Sequence, residues 1–550
     1  MAPAGRMLPL KLFERLGVAL LLLAAVLPRA RGLTGPFDRD FDGFQGACFA
    51  TFCVNYERLG LGRFGGYPSF HVDVPEEGVD EALYVYANHP PAVPLLCYAT
   101  LKLLGPEGWS SAWREARAPP GIEPVLRLPF LSFHMLGLLA FWWALRQAGG
   151  PRVALLGLAL LAMTPISIAY AQLVNYESPS LFFVCLACGF HARFLRHRPG
   201  HNLFFAGLAF AAATSVTFAP LFFVPPLLAQ VWLRRGWRTA LRAALVVGLR
   251  AAAPIAVHGL WVRLALPSAA AESLVGRAQL LLGPLFTGEL PLGEWARRQA
   301  VRILFYFTVP LALAAGLGLA VALLRERGPR TPIERVELGP PLVAGGLLYL
   351  LAFYRHTFDG AGVADGQTIF LIDLAPGMAA AAAGLLDLLA GPLLRLKGGF
   401  AALVVAAGLL GLPGLCRANE LYRRWREPGP HDAADGRGPA QPLPSTTGRA
   451  LHGLLPPGSV TYYPLSTGFT QATAYYAWRT LAPVTHDTFG MQVGRAQLLG
   501  LGGRARYLLV PKELTPAVAA ELGDVRAKLA AAGAPAAEDA DWEVWRLSDD

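Results

Sequence analysis

Leu16-Gly17-Val18-Ala19-Leu20-Leu21-Leu22-Leu23-Ala24-Ala25-Val26-Leu27-Pro28 follows Arg6, Lys11 and Arg15, and shortly after it comes Asp38-Arg39-Asp40-Phe41-Asp42-Gly43. An apolar block behind a basic start can be a signal peptide, with Arg29-Ala30-Arg31-Gly32 as its processing region. It can also be a first, uncleaved membrane span. The rest of the chain favours the span. Further apolar blocks lie roughly at 126–145, 153–171, 178–195, 202–215, 217–233, 243–266, 300–324, 339–354, 368–389 and 399–416, most of them near the about 20 residues that cross a bilayer.

Basic residues sit between these blocks in short clusters: Arg146 and Arg152; Arg193, Arg196 and Arg198; Arg234, Arg235, Arg238 and Arg242; Arg325, Arg327, Arg330 and Arg335; Arg395 and Lys397. Such clusters mark cytoplasmic loops. A cytoplasmic N-terminus puts all of them inside, and an odd count of about eleven spans then puts the tail beyond Cys416 outside. Composition agrees, with 54% hydrophobic and 16% charged residues in 550, against about 25% charged in soluble chains. The net charge of +10 belongs to these loops. No basic domain is present to hold a duplex, so nucleic acid is not an expected partner. The expected fold is mainly α, a polytopic transmembrane bundle in the inner (plasma) membrane.

The expected domains are a transmembrane domain over 1–420, a linker over 421–447 and a small extracytoplasmic α/β domain over 448–550. The linker is rich in Pro, Gly, Asp and Ala. In the tail, Ser459–Tyr463, Tyr507–Val510 and Trp542–Leu547 read as strands, and Pro516–Ala531 as a helix capped by Thr515. The first outer loop, 32–124, holds the acidic cluster and the short apolar stretch Ala92–Leu104, which suits an interfacial helix. Arg250, Pro254, His258 and Arg263 interrupt the seventh block, which reads either as a surface helix or as a span facing a polar cavity. Six cysteines make no disulfide framework. Cys48 and Cys53 could pair outside the cytoplasm, although a spacing of five on a helix is awkward for a disulfide. The 11 histidines show no zinc-ligand spacing, while a divalent cation held by carboxylates stays open.

Several polar groups occupy the outer side of this topology. Asp42, with Asp40 as second candidate, can act as a general base, bind a divalent cation or simply be solvated. Asn88-His89-Pro90-Pro91 forms a rigid corner that presents Asn88 and His89 to the membrane face, or places His89 as a helix cap. Glu177-Ser178-Pro179 is either functional or an N-terminal capping carboxylate. Arg355 and His356 can bind phosphate or anchor a span end. Arg297, Arg298 and Arg302 run against the positive-inside tendency, which suits an anionic ligand. A base, cations and lipid access together fit transfer from a phosphate-linked lipid carrier to an outside acceptor.

At these residues the chain resembles the GT-C superfamily of lipid-linked-sugar glycosyltransferases, in its protein O-mannosyltransferase and aminoarabinose transferase branch. The matching segments are Phe41-Asp42-Gly43 after the first span, His89-Pro90-Pro91 late in the first outer loop, Glu177-Ser178-Pro179 opening a later span, and Asp373-Leu374-Ala375-Pro376. The sequence departs from the common Asp-Glu pair by Gly43, and has Glu177 where many members carry Asp. The resemblance implies a glycosyltransferase with a polyprenyl-phosphate sugar donor, a membrane-lipid setting, a glycan, lipid or protein acceptor, and Asp42 as the base. The alternatives are a transporter or flippase of lipid-linked glycans, and a membrane scaffold that displays the terminal domain.

Overall fold

The computed structural model describes residues 7–37, 40–69, 85–109, 121–197, 200–266, 291–326, 335–353, 371–393, 411–419, 444–456, 459–464, 480–484, 506–512, 518–519, 522 and 525–547. The chain begins with helices α1 (Met7–Ala30), α2 (Asp40–Leu59) and α3 (Ala92–Leu104). Next come α4 (Glu123–Gly149), α5 (Pro151–Met163), α6 (Pro165–Ala169), α7 (Glu177–His197) and α8 (Gly200–Thr214). A 3-10 turn, Ala219–Phe223, leads into α9 (Val224–Arg235) and α10 (Trp237–Ala265). Then follow α11 (Leu292–Phe307), α12 (Val309–Glu326), α13 (Gly339–Phe353), α14 (Ala375–Leu393) and α15 (411–419).

The described residues divide into two compact units. The first comprises 1–33, 127–260 and 274–423, and the second 34–126, 261–273 and 424–550.

Local chemistry explains the helix breaks in the first unit. Gly150 at φ 93° and Gly236 at φ 83° turn the chain between α4 and α5 and between α9 and α10, in a region that favours glycine. Pro151 and Pro165 then open α5 and α6, where a missing N–H is tolerated. The break at Pro165 divides one expected span, so that the block at 153–171 becomes α5 and α6, while the blocks at 202–215 and 217–233 correspond to α8 and to the 3-10 turn followed by α9. Among the described residues, four helices are long and apolar enough to cross a membrane: α4, α7, α10 and the stretch Leu371–Ala390. α11 and α12 add a fifth if that pair, bent by 113°, counts as one span. The expected block at 399–416 lies mostly outside the described residues. On α1, Leu12, Leu16, Leu20, Leu23 and Leu27 are exposed in one stripe, the pattern of a lipid-facing face at i, i+4 spacing.

Helices α12 and α14 approach so closely that a Cβ at Gly318 would lie 2.1 Å from the Ala381 carbonyl oxygen. Small residues permit such backbone contact between membrane helices. Gly316, two residues earlier on α12, has nothing within 4 Å of its Cβ position. Gly318→Ala is therefore expected to lower stability by about 1–3 kcal/mol through overpacking, while Gly316→Ala has little effect. Thermal unfolding of the two purified variants checks this; equal midpoints would show that the helix pair gives way easily.

At the other end of α14, Arg335 pairs with Asp387 at 2.9 Å and Glu337 at 3.1 Å. Gln230 on α9 donates to the Glu337 carbonyl at 2.6 Å and accepts from His191 of α7 at 3.0 Å. Arg335, one of the basic residues expected to mark the cytoplasmic side, is thus also a partner that ties α14 to its neighbours.

In the second unit α2 packs against α3. Glu57 accepts from the Tyr98 hydroxyl at 2.7 Å and pairs with Lys102 at 3.1 Å. Burial, and secondly the bond to Glu57, push the Tyr98 phenol up to about 12. Gly60, Gly65 and Gly66, all at positive φ, shape the turn after α2. Trp261 at the end of α10 donates to the Gly65 carbonyl at 2.8 Å.

The tail opens with α16 (Pro444–Leu454), which begins inside the expected linker, and its other described helix is α17 (Val525–Ala532). Its sheet contains β1 (Val460–Pro464), β2 (Thr480–Val484), β3 (Arg506–Pro511), β4 (Ala537–Glu538) and β5 (Trp542–Arg546) in the order β2-β1-β3-β5-β4. β1 is parallel to β2 and β3, and β5 is antiparallel to β3 and β4. Leu451 and Leu455 join Tyr463, Tyr507, Leu509, Trp542 and Val544 in a buried core. The three expected strands are β1, β3 and β5. β2 escaped detection because Pro483 argues against a central strand, yet β2 is at the sheet edge, where proline is tolerated. Thr515 and Pro516 lie outside the described residues.

Candidate functional site

In the first unit two carboxylates separated widely in sequence come together. Glu177 occupies the first turn of α7, 8% exposed, and Asp373 sits in the short turn before α14, 3% exposed. They are close enough for their charges to interact. Each stands at the start of a helix, where the dipole favours an anion, and Pro376 suits the first turn of α14. Glu177 Oε2 and Asp373 Oδ2 have no hydrogen-bond partner among the described residues. Such oxygens are costly to bury unless they meet a proton, a cation or a polar ligand.

A second polar group was not recognised from sequence. Arg29, fully buried at the end of α1, donates to the Ala25 carbonyl at 3.0 Å, the Ala162 carbonyl at 2.8 Å and Ser167 Oγ at 2.9 Å. Ser167 Oγ also shares a hydrogen bond of 3.0 Å with His134 Nε2. His134, Ser167 and Ser178 line a cavity of ≈ 10 Å³ together with Ile372 and Ala375, about the space of one water. Ser178 and Ile372 are the chain neighbours of Glu177 and Asp373, so the cavity adjoins the carboxylate pair in sequence. Arg127 donates to the Gly32 and Leu33 carbonyls at 3.3 and 3.2 Å. The available signal was a polar side chain inside an apolar block, which is costly in a membrane and is therefore kept for a partner.

On α11 the expected anion-binding arginines behave differently from one another. Arg297 makes two 2.8 Å bonds to Glu294, and Arg298 bonds the same carboxylate at 2.9 Å. These are i, i+3 and i, i+4 pairs within one helix, so the two cations are already matched by a local anion. Arg302 faces the protein and is 4% exposed. α11 ends at Thr308, with φ 65° and ψ 151°. A β-branched residue is strained there, and the 113° turn into α12 occurs at this point.

In the second unit Asp40 and Asp42 lie in the first turn of α2, a helix where a loop was expected. Asn88 and His89 are half-buried in the corner before α3. Tyr86 links that corner to α2, stacking on Phe52 at 5.4 Å and meeting the His89 ring at 6.3 Å. The N-cap position of α3 is taken by Pro91, which makes no side-chain capping bond. Arg355 and His356 lie outside the described residues. Among the described residues no three His, Cys, Asp or Glu side chains gather as a metal-binding set.

Residues 122–261 match the family model described as dolichyl-phosphate-mannose-protein mannosyltransferase. No curated protein matches the sequence. Among solved structures, ArnT from Cupriavidus metallidurans bound to undecaprenyl phosphate aligns with a TM-score of 0.53 at 14% identity, covering 96% of this chain and 97% of that one. The apo oligosaccharyltransferase of Archaeoglobus fulgidus aligns with a TM-score of 0.56 at 11% identity, over 90% of this chain and 69% of that one. The archaeal oligosaccharyltransferase AglB of the same organism, in complex with an inhibitory peptide and a dolichol-phosphate, gives 0.54 at 12% identity, over 91% and 69%. The expectation of a multi-pass membrane protein with a fold like that of these solved structures holds, and within it residues 122–261 match the mannosyltransferase family model.

Proposed function

We propose that the protein is a membrane glycosyltransferase that moves a sugar from a polyprenyl-phosphate donor to an acceptor outside the cytoplasm, the acceptor being a glycan, a lipid or a protein. The observation that carries this reading is the family-model match over residues 122–261. It is a match of sequence, and the matched segment includes Glu177. In this reading the N-terminus is cytoplasmic, while the segment 32–124 and the domain from 448 onward, joined by the 421–447 linker, lie outside.

The reaction forms a bond between an acceptor atom and the anomeric carbon, and breaks the bond from that carbon to the phosphate oxygen. Asp42 takes the acceptor proton, with Asp40 as the alternative base. Arg302, Arg355 and His356 stabilise the departing phosphate electrostatically. Arg297 and Arg298 would take part by exchanging Glu294 for the ligand. Asn88 and His89 bind the acceptor or donor from their rigid corner. Glu177, near Asp373, supplies carboxylate oxygens of the kind that bind a sugar hydroxyl or a divalent cation.

The 113° break between α11 and α12 is the feature that favours a transporter of lipid-linked glycans, since transporters use discontinuous helices. Incubation of the purified protein with a panel of polyprenyl-phosphate sugars, with and without chelator, separates the readings. The enzyme is expected to release polyprenyl phosphate from at least one donor. No release or transfer across a broad panel would move the assignment to transport.

A further inference from the structure

Cys53 on α2 and Cys97 on α3 are both 0% exposed and stand as free thiols in the structure, on two helices that pack together and near enough for their charges to interact. Glu57, one turn after Cys53, bonds Tyr98, the chain neighbour of Cys97, and Lys102, which fixes the register of the two helices on the side that carries both thiols. Tyr56 stacks near Tyr98 at 5.6 Å, and its phenol is raised first by burial and then by both thiols. The Cys53 thiol is likewise pushed up by burial and by Cys97. Cys48 is on α2 as well, but a spacing of five residues turns the two side chains about 140° apart on one helix. That arrangement does not suit a disulfide.

We propose that Cys53 and Cys97 form a disulfide in the mature protein, joining the helix that carries Asp40 and Asp42 to the helix that follows the Asn88–Pro91 corner. The inference rests on the topology proposed above, which puts both helices in an oxidising compartment. The oxidant is a protein disulfide of the thiol–disulfide exchange type. One thiolate attacks it to give a mixed disulfide, and the second cysteine then displaces the carrier, which leaves with both electrons and both protons as a dithiol. Because burial disfavours the thiolate, the exchange takes place before α2 and α3 close on each other. Once formed, the bond is shielded from reductant until the unit unfolds.

The test is a thiol count on the full-length protein, purified from its membrane, denatured in maleimide and measured by mass. Of the six cysteines, four are expected to react without reductant and all six after reduction. Cys53→Ser and Cys97→Ser should each leave five reactive thiols without reductant, and Cys48→Ser three. Six reactive thiols in the unreduced parent overturn the proposal. In a parallel arm, Glu107→Cys in a Cys416→Ser background is probed on intact cells with a membrane-impermeant maleimide. Glu107 is exposed just after α3. Labelling there together with six free thiols rejects the disulfide and leaves the topology standing, whereas no labelling and six free thiols reject both.

Discussion

An Asp42→Asn variant is expected to transfer sugar about 10²- to 10⁴-fold more slowly than the parent, the range a positioned general base contributes. Asparagine keeps the size of the side chain and can still bond an acceptor hydroxyl, but it cannot take its proton. The fold should hardly notice. Asp42 lies in the first turn of α2, where a charge–dipole interaction is worth about 0.3–1 kcal/mol. Yield, detergent elution and thermal midpoint therefore stay near those of the parent while turnover collapses. Asp40→Asn is the companion variant. If that one loses activity and Asp42→Asn retains it, Asp40 is the base. If both work fully, α2 carries no base.

Asp373→Asn should move stability and activity in opposite directions. Asp373 and Glu177 are two buried carboxyl groups near enough to interact, each with an oxygen that no described residue satisfies. An unsatisfied buried polar group costs about 1–3 kcal/mol, more if charged. Replacing one of the two carboxyls by an amide, which cannot ionise, relieves this, so the thermal midpoint should rise. Transfer should fall by about 10²-fold or more if the carboxylates hold substrate or a cation in the transition state. Glu177→Gln should behave likewise. The double variant should gain less stability than the sum of the singles, because the first substitution already removes the repulsion. A variant with full activity and higher stability would make the pair a relic of packing. A variant with lower stability would show that a bound cation normally satisfies it.

The sequence carried some of this plainly. The long apolar blocks separated by arginine clusters specify membrane helices, because the bilayer rewards length and hydrophobicity without regard to partners. β1, β3 and β5 were visible as apolar, aromatic and β-branched runs. The pairing of Glu294 with Arg297 and Arg298 was also readable, since i, i+3 and i, i+4 neighbours meet on any helix. The same charges also suit a ligand site, because they oppose the positive-inside tendency. α2 escaped recognition. Gly43 and Gly46 weaken the helical pattern at its start, and Gly46 is required because a Cβ there would lie 2.1 Å from the Phe37 ring.

Sequence by itself therefore determined the class of the molecule, the strands at the centre of its tail, and a short set of candidate polar residues that includes Asp42, His89 and Glu177. Period, charge placement and helix-start chemistry are local, and they survive without knowledge of what packs where. Only the tertiary structure decided which of those residues meet. It put Asp373 near Glu177, gave Arg29 and His134 a common partner in Ser167, and brought Cys53 and Cys97 near enough for their charges to interact. Each pairing depends on how helices distant in sequence cross, and in membrane helices that crossing is set by small residues such as Gly318 rather than by any periodic signal.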